Sequence, residues 1–235
     1  QEFLLRVFPL CLQQSQNAET TGFFFLMTGG RPETAENVDG FYLRDSAPYS
    51  QAANNTDLSF ARCNTLLSRN LDIALSSDWT TYFSLAGEGN RQADDFYYAP
   101  WRAARENPEA DTRNLGYWSE PFYLEDKPVS GYKAVTYSIP LRLDGRVYGV
   151  FGIEITLPTL VRQFVTDSGN RQTDSSYLIA VEAQDGSYRP IAGDGYLSNL
   201  LLTQDSFRLE DTKYDGLYRV SDTRYDGKSL YAGLS

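Results

Sequence analysis

The stretch that decides the fold is "IPLRLDGRVYGVFGIEI", residues 139–155. Two apolar runs meet at Asp144-Gly145, a dipeptide typical of a two-residue hairpin turn because both residues of that turn take positive φ. We therefore predict two antiparallel strands joined by this turn. The second strand raises a question, because it carries a carboxylate, Glu154, between two isoleucines and just after Gly152.

Alternate residues of a strand share a face, so the second strand has two different surfaces. One is a plain core face, and the other carries Tyr148, Val150, Gly152 and Glu154. A bare glycine beside an acid suits a concave surface that leaves room for a small molecule. The alternative is that Glu154 lies at the solvated end of its strand or pairs with an arginine, since a buried acid needs a partner.

Composition restricts the classes of function. The net charge of −10 over 235 residues disfavours nucleic acid and anionic lipid as partners, because both are polyanions. The chain has no histidine, which removes the commonest general base and the usual zinc ligand. Cys11 and Cys63 lack CxxC spacing, so we expect no metal and no cofactor. They either form one disulfide or are unrelated buried thiols, the simpler interpretation.

Periodic patterns indicate an α+β fold. Leu4, Phe8 and Leu12 recur at helical spacing and predict an N-terminal helix, although Pro9 interrupts it or marks its first turn. Aromatic strands follow in "TGFFFLMTGG" and "DGFYLRDS", and strand patterns predominate from residue 117 onward.

Recurring Asp-Gly turns near the C-terminus indicate a second, small antiparallel sheet. We therefore expect a boundary near residues 157–172. It would separate a larger domain with the N-terminal helix, residues 1–160, from a smaller one, residues 161–235.

Two segments carry a resemblance to a known family. They are "FYYAPWRAARENPEADTRNLGYWSEPFY" and "VTYSIPLRLDGRVYGVFGIEI", which contain an aromatic cluster, a Trp-Ser-Glu-Pro-aromatic strand, "SIPL", a turn and a Gly-Val-x-Gly-Ile-acid-Ile strand. In this order they resemble the membrane-distal module of double Cache domains, the extracytoplasmic sensors of bacterial chemoreceptors, histidine kinases and diguanylate cyclases. The later stretch "SSYLIAVEAQDGSYRPIAG" looks like the membrane-proximal module.

The resemblance implies two PAS-like modules, each a central antiparallel sheet flanked by helices, outside the cell membrane. They would project on a helix that begins before Gln1 and would form a homodimer in the full-length protein. The distal module would bind a small molecule such as an amino acid or an amine and signal to a cytoplasmic output domain. The "FYYAPW" and "GFYLRD" stretches favour a diguanylate cyclase or histidine kinase output over a chemoreceptor.

The resemblance also assigns ligand-binding residues. The family's pocket acid falls on Glu154, where an aspartate is more usual. The candidate wall residues are aromatic: Tyr97, Tyr98, Trp101, Trp118 and Tyr137. The alternative for each ring is ordinary core packing.

The sequence departs from the family's amino-acid-binding pattern. That pattern has an arginine two residues before a Trp-Tyr pair, whereas here Ala99 precedes Pro100 and Trp101. A forked guanidinium normally holds an α-carboxylate, so the clamp is lost unless Arg102 or Arg44 replaces it. Arg44 is equally interpreted as a solvated charge or as the partner of Glu154.

Three functions remain open at this point. The first is a non-enzymatic ligand sensor, in which a bound small molecule shifts the protein between two states. The second is a protein-interaction or dimerisation module without a small ligand, because the missing arginine leaves the site vestigial. The third is an acid-based hydrolase that uses Glu120 with Glu154, although the chain has no histidine and no GxSxG motif.

Overall fold

The protein is described here by a computed structural model that covers residues 2–28, 37–48, 55–122, 133–167 and 176–234. The α+β class is confirmed. The chain forms two compact units, Gln1–Thr156 and Leu157–Ser235. That each unit is a Cache-like module stays a prediction. None of the described helices is long and apolar enough to cross a membrane.

Unit 1 is built around one large sheet. Its helices are α1 (Glu2–Asn17), α2 (Thr65–Leu71) and α3 (Asp95–Glu106). Its strands are β1 (Gly22–Met27), β2 (Asn37–Asp45), β3 (Leu58–Arg62), β4 (Ala74–Thr80), β5 (Phe83–Ser84), β6 (Tyr117–Trp118), β7 (Ala134–Leu143) and β8 (Arg146–Thr156). The strand order is β4-β3-β2-β1-β8-β7-β6, and β5 pairs with the start of β2.

The predicted central sheet is present and mostly antiparallel, with one parallel pair at its edge. Strands β3 and β4 run parallel, and the other pairs are antiparallel. The reason is the connection between them, because a parallel pair needs a crossover and α2 supplies it. Asn64 starts this helix by accepting a hydrogen bond from the backbone N–H of Leu66 at 2.9 Å.

The hairpin between β7 and β8 is confirmed. Asp144 and Gly145 have φ of 48° and 76°, and the residues on either side of them pair directly. On its other edge β8 pairs with β1. Strand β8 therefore lies inside the sheet, with both of its edges hydrogen-bonded to other strands.

Helix α1 covers one face of the sheet. Its Phe8 is 2% exposed, and its ring centroid lies 5.5–5.7 Å from those of Phe23, Phe41 and Phe60. Pro9 lies inside the helix without ending it. The predicted amphipathic helix is thus present, and its apolar side is buried against aromatic strand residues.

Helix α3 covers the opposite face, which is the face of Glu154. Phe96 of α3 meets Phe24 of β1 nearly edge to face, with ring centroids 5.0 Å apart. The ring of Phe24 also fills the space above Gly152, where an added methyl group would collide with it. The expectation that Gly152 leaves room for a small molecule is therefore wrong, because a side chain of the protein occupies that room.

Unit 2 contains α4 (Leu157–Asp167), α5 (Tyr196–Leu202) and the strands β9 (Tyr177–Glu182), β10 (Tyr188–Asp194), β11 (Leu209–Asp211), β12 (Leu217–Tyr225) and β13 (Lys228–Gly233). The strands form two antiparallel sheets, β10-β9 and β11-β12-β13. A single bridge between Tyr188 and Phe207 links them. The predicted single sheet is thus divided into two sheets that this bridge joins.

Cys11 and Cys63 are free thiols. Cys63 belongs to the apolar cluster beneath α1, and Cys11 packs against the same cluster. Burial raises the pKa of each thiol to about 11. The interpretation as thiols without a disulfide is confirmed, but only Cys63 is fully buried, and Cys11 is partly exposed.

Gly149 of β8 allows the close approach of β1. A methyl group added there would collide with the backbone carbonyl oxygen of Leu26. We expect Gly149→Ala to lower the free energy of unfolding of unit 1 by about 1–3 kcal/mol, as over-packing does. Urea unfolding followed by tryptophan fluorescence measures this, since all 3 tryptophans lie in unit 1.

The control is Leu143→Ala, at a 64% exposed position of β7, which should change the free energy of unfolding little. Equal urea midpoints for the two variants would contradict the prediction.

Candidate functional site

Glu154 lies in the sheet at a position that is only 3% exposed. The register places Gly22 of β1 beside it and Arg44 of β2 beside Gly22. Because Gly22 has no side chain, the ring of Tyr42 leans across β1, and an added methyl at Gly22 would lie 3.3 Å from its Cε2 atom. Tyr42 lies on β2, two strands from β8, and its hydroxyl reaches the Glu154 carboxylate across β1.

Two hydroxyl groups hold the Glu154 carboxylate. The Tyr42 hydroxyl donates to Oε2, and Thr21 Oγ1 donates to Oε1 at 3.2 Å. Thr21 Oγ1 is positioned in turn by the backbone N–H of Thr156, which donates to it at 2.9 Å. Arg44 Nε donates to the Tyr42 hydroxyl at 2.8 Å. Arg44 was interpreted as a solvated charge or as the partner of Glu154. The geometry favours the second interpretation, because the Tyr42 hydroxyl connects the guanidinium of Arg44 to the carboxylate of Glu154.

The electrostatics of this group follow from its burial. Burial raises the pKa of Glu154 above its ordinary value of 4.5, and the charge of Arg44 and the hydrogen bonds from Tyr42 and Thr21 oppose that rise. Burial and the charge of Glu154 raise the pKa of Tyr42 well above its ordinary value of 10. The Tyr42 phenol therefore stays a hydrogen-bond donor near neutral pH.

Two further hydroxyl groups lie on the same face, on β7. Thr136 pairs with Glu154 across the ladder, and Ser138 pairs with Gly152. Both residues are completely buried, and neither side-chain oxygen hydrogen-bonds to any described part of the protein. A buried hydroxyl without a partner costs about 1–3 kcal/mol, and buried hydroxyls are normally hydrogen-bonded.

Sequence reasoning missed Thr136 and Ser138. The available signal was the alternation of small polar residues with larger ones in "VTYSIPL". That alternation indicates that both hydroxyls share one face of a strand. It does not indicate whether Glu154 lies on that same face of the sheet, because this depends on the register of β7 against β8.

Helix α3 places its aromatic residues over this face. Tyr97 and Tyr98 are 0% and 2% exposed and meet edge to face, with ring centroids 4.9 Å apart. They belong to the same buried cluster as Tyr42. Trp101, one turn later, is also buried, and the guanidinium of Arg105 lies 4.8 Å from its ring centroid. The structure thus brings Tyr97 and Tyr98 into the cluster on the face of the acid, and their contact with a ligand stays a prediction, as does that of Trp101.

Three predicted residues do not join this group. Arg102 forms an ion pair with Glu88 at 3.4 Å, and its side chain is 41% exposed. The register pairs Tyr137 with the residue before Glu154, so Tyr137 lies on the opposite face of the sheet. Trp118 pairs with Tyr137, lies on that opposite face and is 57% exposed. The expectation that Trp118 and Tyr137 share a pocket with Glu154 is wrong, because a one-residue offset in a strand reverses the face.

Replacing Tyr42 by phenylalanine tests the network. Tyr42→Phe keeps the ring and removes the hydroxyl that joins Glu154 to Arg44. We expect a loss of about 1–3 kcal/mol in the free energy of unfolding, because the carboxylate keeps its burial and loses a donor. Tyr148→Phe, at a partly exposed position of the same sheet face, is the matched control in the urea experiment. A loss no larger than that of the control would show that the hydroxyl contributes nothing.

The raised pKa of Glu154 predicts a pH dependence with a definite sign. The folded state favours the protonated acid, so its contribution to stability is complete below the ordinary pKa of 4.5. This contribution is lost as pH rises through the higher folded-state pKa. We therefore expect the wild type to lose stability relative to Glu154→Gln as pH rises through this range. Melting temperatures of both proteins against pH test this, and parallel curves would contradict it.

No family model matches the sequence, and no curated protein matches it. Solved structures similar to it are extracellular sensor or ligand-binding domains of membrane receptors. One is the ligand-binding domain of the Pseudomonas aeruginosa amino acid chemoreceptor PctC in complex with GABA, at 13% identity and a TM-score of 0.38, over 93% of this chain and 68% of that one. Another is the sensory domain of the Campylobacter jejuni chemoreceptor Tlp3, at 13% identity and a TM-score of 0.40, over 94% and 69%.

A third similar structure is an extracellular histidine kinase domain, at 16% identity and a TM-score of 0.40, over 81% of this chain and 52% of that one. The chain spans about half the length of this domain and of a second histidine kinase domain, 52% and 49%. These neighbours belong to the class of extracytoplasmic sensor that the sequence resembles.

Proposed function

We propose that this chain is the extracytoplasmic sensor region of a bacterial transmembrane signalling protein and that unit 1 binds a small molecule. The observation that carries the proposal is the buried pair of hydroxyls, Thr136 and Ser138, beside the buried acid Glu154. Buried polar groups are normally hydrogen-bonded, and a polar ligand placed between β7 and α3 would complete them. In this proposal the chain performs no catalysis itself.

The proposed ligand carries an amine or a hydroxyl group. Each oxygen of Glu154 accepts one hydrogen bond in the structure and has a second lone pair for a donor. The two β7 hydroxyls can donate or accept. The two arginines that were candidates for a carboxylate clamp already have partners, since Arg44 donates to Tyr42 and Arg102 pairs with Glu88. The site therefore favours an amine or polyol, and an α-carboxylate clamp is not part of the proposal.

A route for the signal starts at Thr21. This residue hydrogen-bonds Glu154 and follows α1 by four positions. Thr20, next to it, contacts Ser15 of α1 through both its backbone N–H and its hydroxyl. A ligand that preferred one arrangement of Glu154 would shift the end of α1. The movement of α1 would then change the arrangement of a membrane-anchored dimer and the activity of its cytoplasmic output domain. A diguanylate cyclase or histidine kinase output belongs to this proposal.

A second candidate is an interaction module without a small ligand. It is favoured by the fact that Glu154 already has internal donors and that Phe24 fills the space above Gly152. The hydrolase hypothesis has less support. Glu120 is exposed and accepts a hydrogen bond from Gln92 at 3.3 Å, while the other acid is buried.

A thermal-shift screen tests the proposal. The panel contains amines, amino acids, polyols and short carboxylates, and a ligand that binds only the folded state raises the melting temperature. Thr136→Val and Ser138→Ala remove one unpartnered hydroxyl each, so we expect both variants to be as stable as the wild type or more stable without ligand. Both should lose the shift that the ligand causes.

The control is Thr80→Val, an exposed position on β4, which should keep the ligand shift. If a hit shifts all variants equally, the site lies elsewhere. If no compound shifts the wild type, the second candidate is favoured, and sedimentation at increasing concentration then tests self-association.

A further inference from the structure

A groove lies on the three-stranded sheet of unit 2, apart from the site described above. Its volume is about 320 Å³, and it lies between the turn after β11 and the strands β12 and β13. Tyr214 and Tyr231 line it on different elements, one in the turn and one in β13.

The register shows that the groove opens on the solvent face of the sheet. Glu210, Arg219 and Tyr231 form one row across β11, β12 and β13. Val220 and Leu230, their sequence neighbours, are 3% and 9% exposed and belong to the core of unit 2. Because neighbouring residues of a strand point to opposite faces, the row lies on the outer face.

The charged groups of this row neutralise each other. Arg219 donates to Glu210 Oε2 through Nε at 3.0 Å and through Nη2, and Ser221 Oγ donates to Oε1 at 2.8 Å. The pair is therefore held in one orientation and has no net charge. The two other charged residues that line the groove, Asp211 and Lys213, are of opposite sign. Lys213 lies with its ammonium 4.9 Å from the ring centroid of Tyr214.

The groove also exposes apolar surface in a defined arrangement. Tyr214 and Tyr231 are 59% and 58% exposed. Leu217 lines the groove with them, and its cross-strand neighbour is Gly233, which has no side chain to cover it. Tyrosine is enriched at binding surfaces because its ring is apolar and its hydroxyl is polar, and here two exposed tyrosines line one groove with Leu217 and oriented polar groups.

We propose that this groove binds a neutral saccharide. A pyranose ring has an apolar C–H face, which packs on a tyrosine ring, and an edge of hydroxyls, which hydrogen-bond to planar groups such as the Arg219–Glu210 pair. The volume is near the lower end of small-ligand sites, roughly 300–1,000 Å³. The open side of the groove leaves space for further sugar units of a chain.

Calorimetric titration of the 235-residue protein tests the proposal. The probes are maltotetraose and the tetramer of N-acetylglucosamine, which share the pyranose ring and differ in substituents. We expect the wild type to bind at least one of them and Tyr231→Ala and Tyr214→Ala to bind it about tenfold more weakly or worse, because a stacking ring is removed. The matched control is Tyr196→Ala, 64% exposed in unit 2 but outside the groove, which should bind as the wild type does.

Circular dichroism of each variant verifies that it is folded, since both groove tyrosines are exposed and their removal leaves the core intact. Absence of binding to both saccharides would overturn the proposal. So would equal affinity of the groove variants and the control. Loss of saccharide binding in Glu154→Gln would also overturn it, because the sugar would then belong to the site in unit 1.

Discussion

A buried carboxylate must be surrounded by hydrogen-bond donors, and unit 1 meets this requirement for Glu154 with residues far from it in the chain. Thr21, directly before β1, and Tyr42 of β2 donate to it and are 133 and 112 residues away in the chain. These contacts exist only if β1 lies between β8 and β2, which is the observed order. They are also favoured by Gly22 between the acid and Arg44, since an added methyl there would collide with the carbonyl oxygen of Leu43 and crowd the ring of Tyr42.

Twice on this face, an aromatic ring occupies the space beside a glycine on the neighbouring strand. Gly22 makes room for Tyr42, and Gly152 makes room for the ring of Phe24. Each ring leans onto the neighbouring strand and covers backbone that a glycine leaves bare. The result is a tightly packed sheet face beneath α3. Its polar part consists of Glu154 and the β7 hydroxyls, and its apolar part is the cluster around Phe96.

This packing bears on function because it separates two kinds of polar group. The carboxylate has internal donors, so it is held in place without a ligand. Thr136 and Ser138 have none among the described residues, so they are the groups that a ligand would serve. Unit 2 differs in kind, because Tyr231 is exposed on the outer face of a small sheet rather than buried under a helix. Under the two proposals, the two surfaces would therefore take different ligands, a polar one in unit 1 and a partly aromatic contact in unit 2.

The sequence by itself determined the features that depend on local backbone preference and periodicity. The turn at Asp144-Gly145, the helix around Phe8 and the α+β class follow from positive φ, helical spacing and strand alternation. The sequence also showed that an acid lies within an apolar strand, and the resemblance to sensor domains predicted that aromatic residues of α3 line a site. The tertiary structure alone decided the parallel pair at the sheet edge, the division of the second sheet, the partners of Glu154 and the face on which Tyr137 lies. The physical reason is that strand order and register bring together residues far apart in the chain, and a shift of one residue would place each of these side chains on the other face.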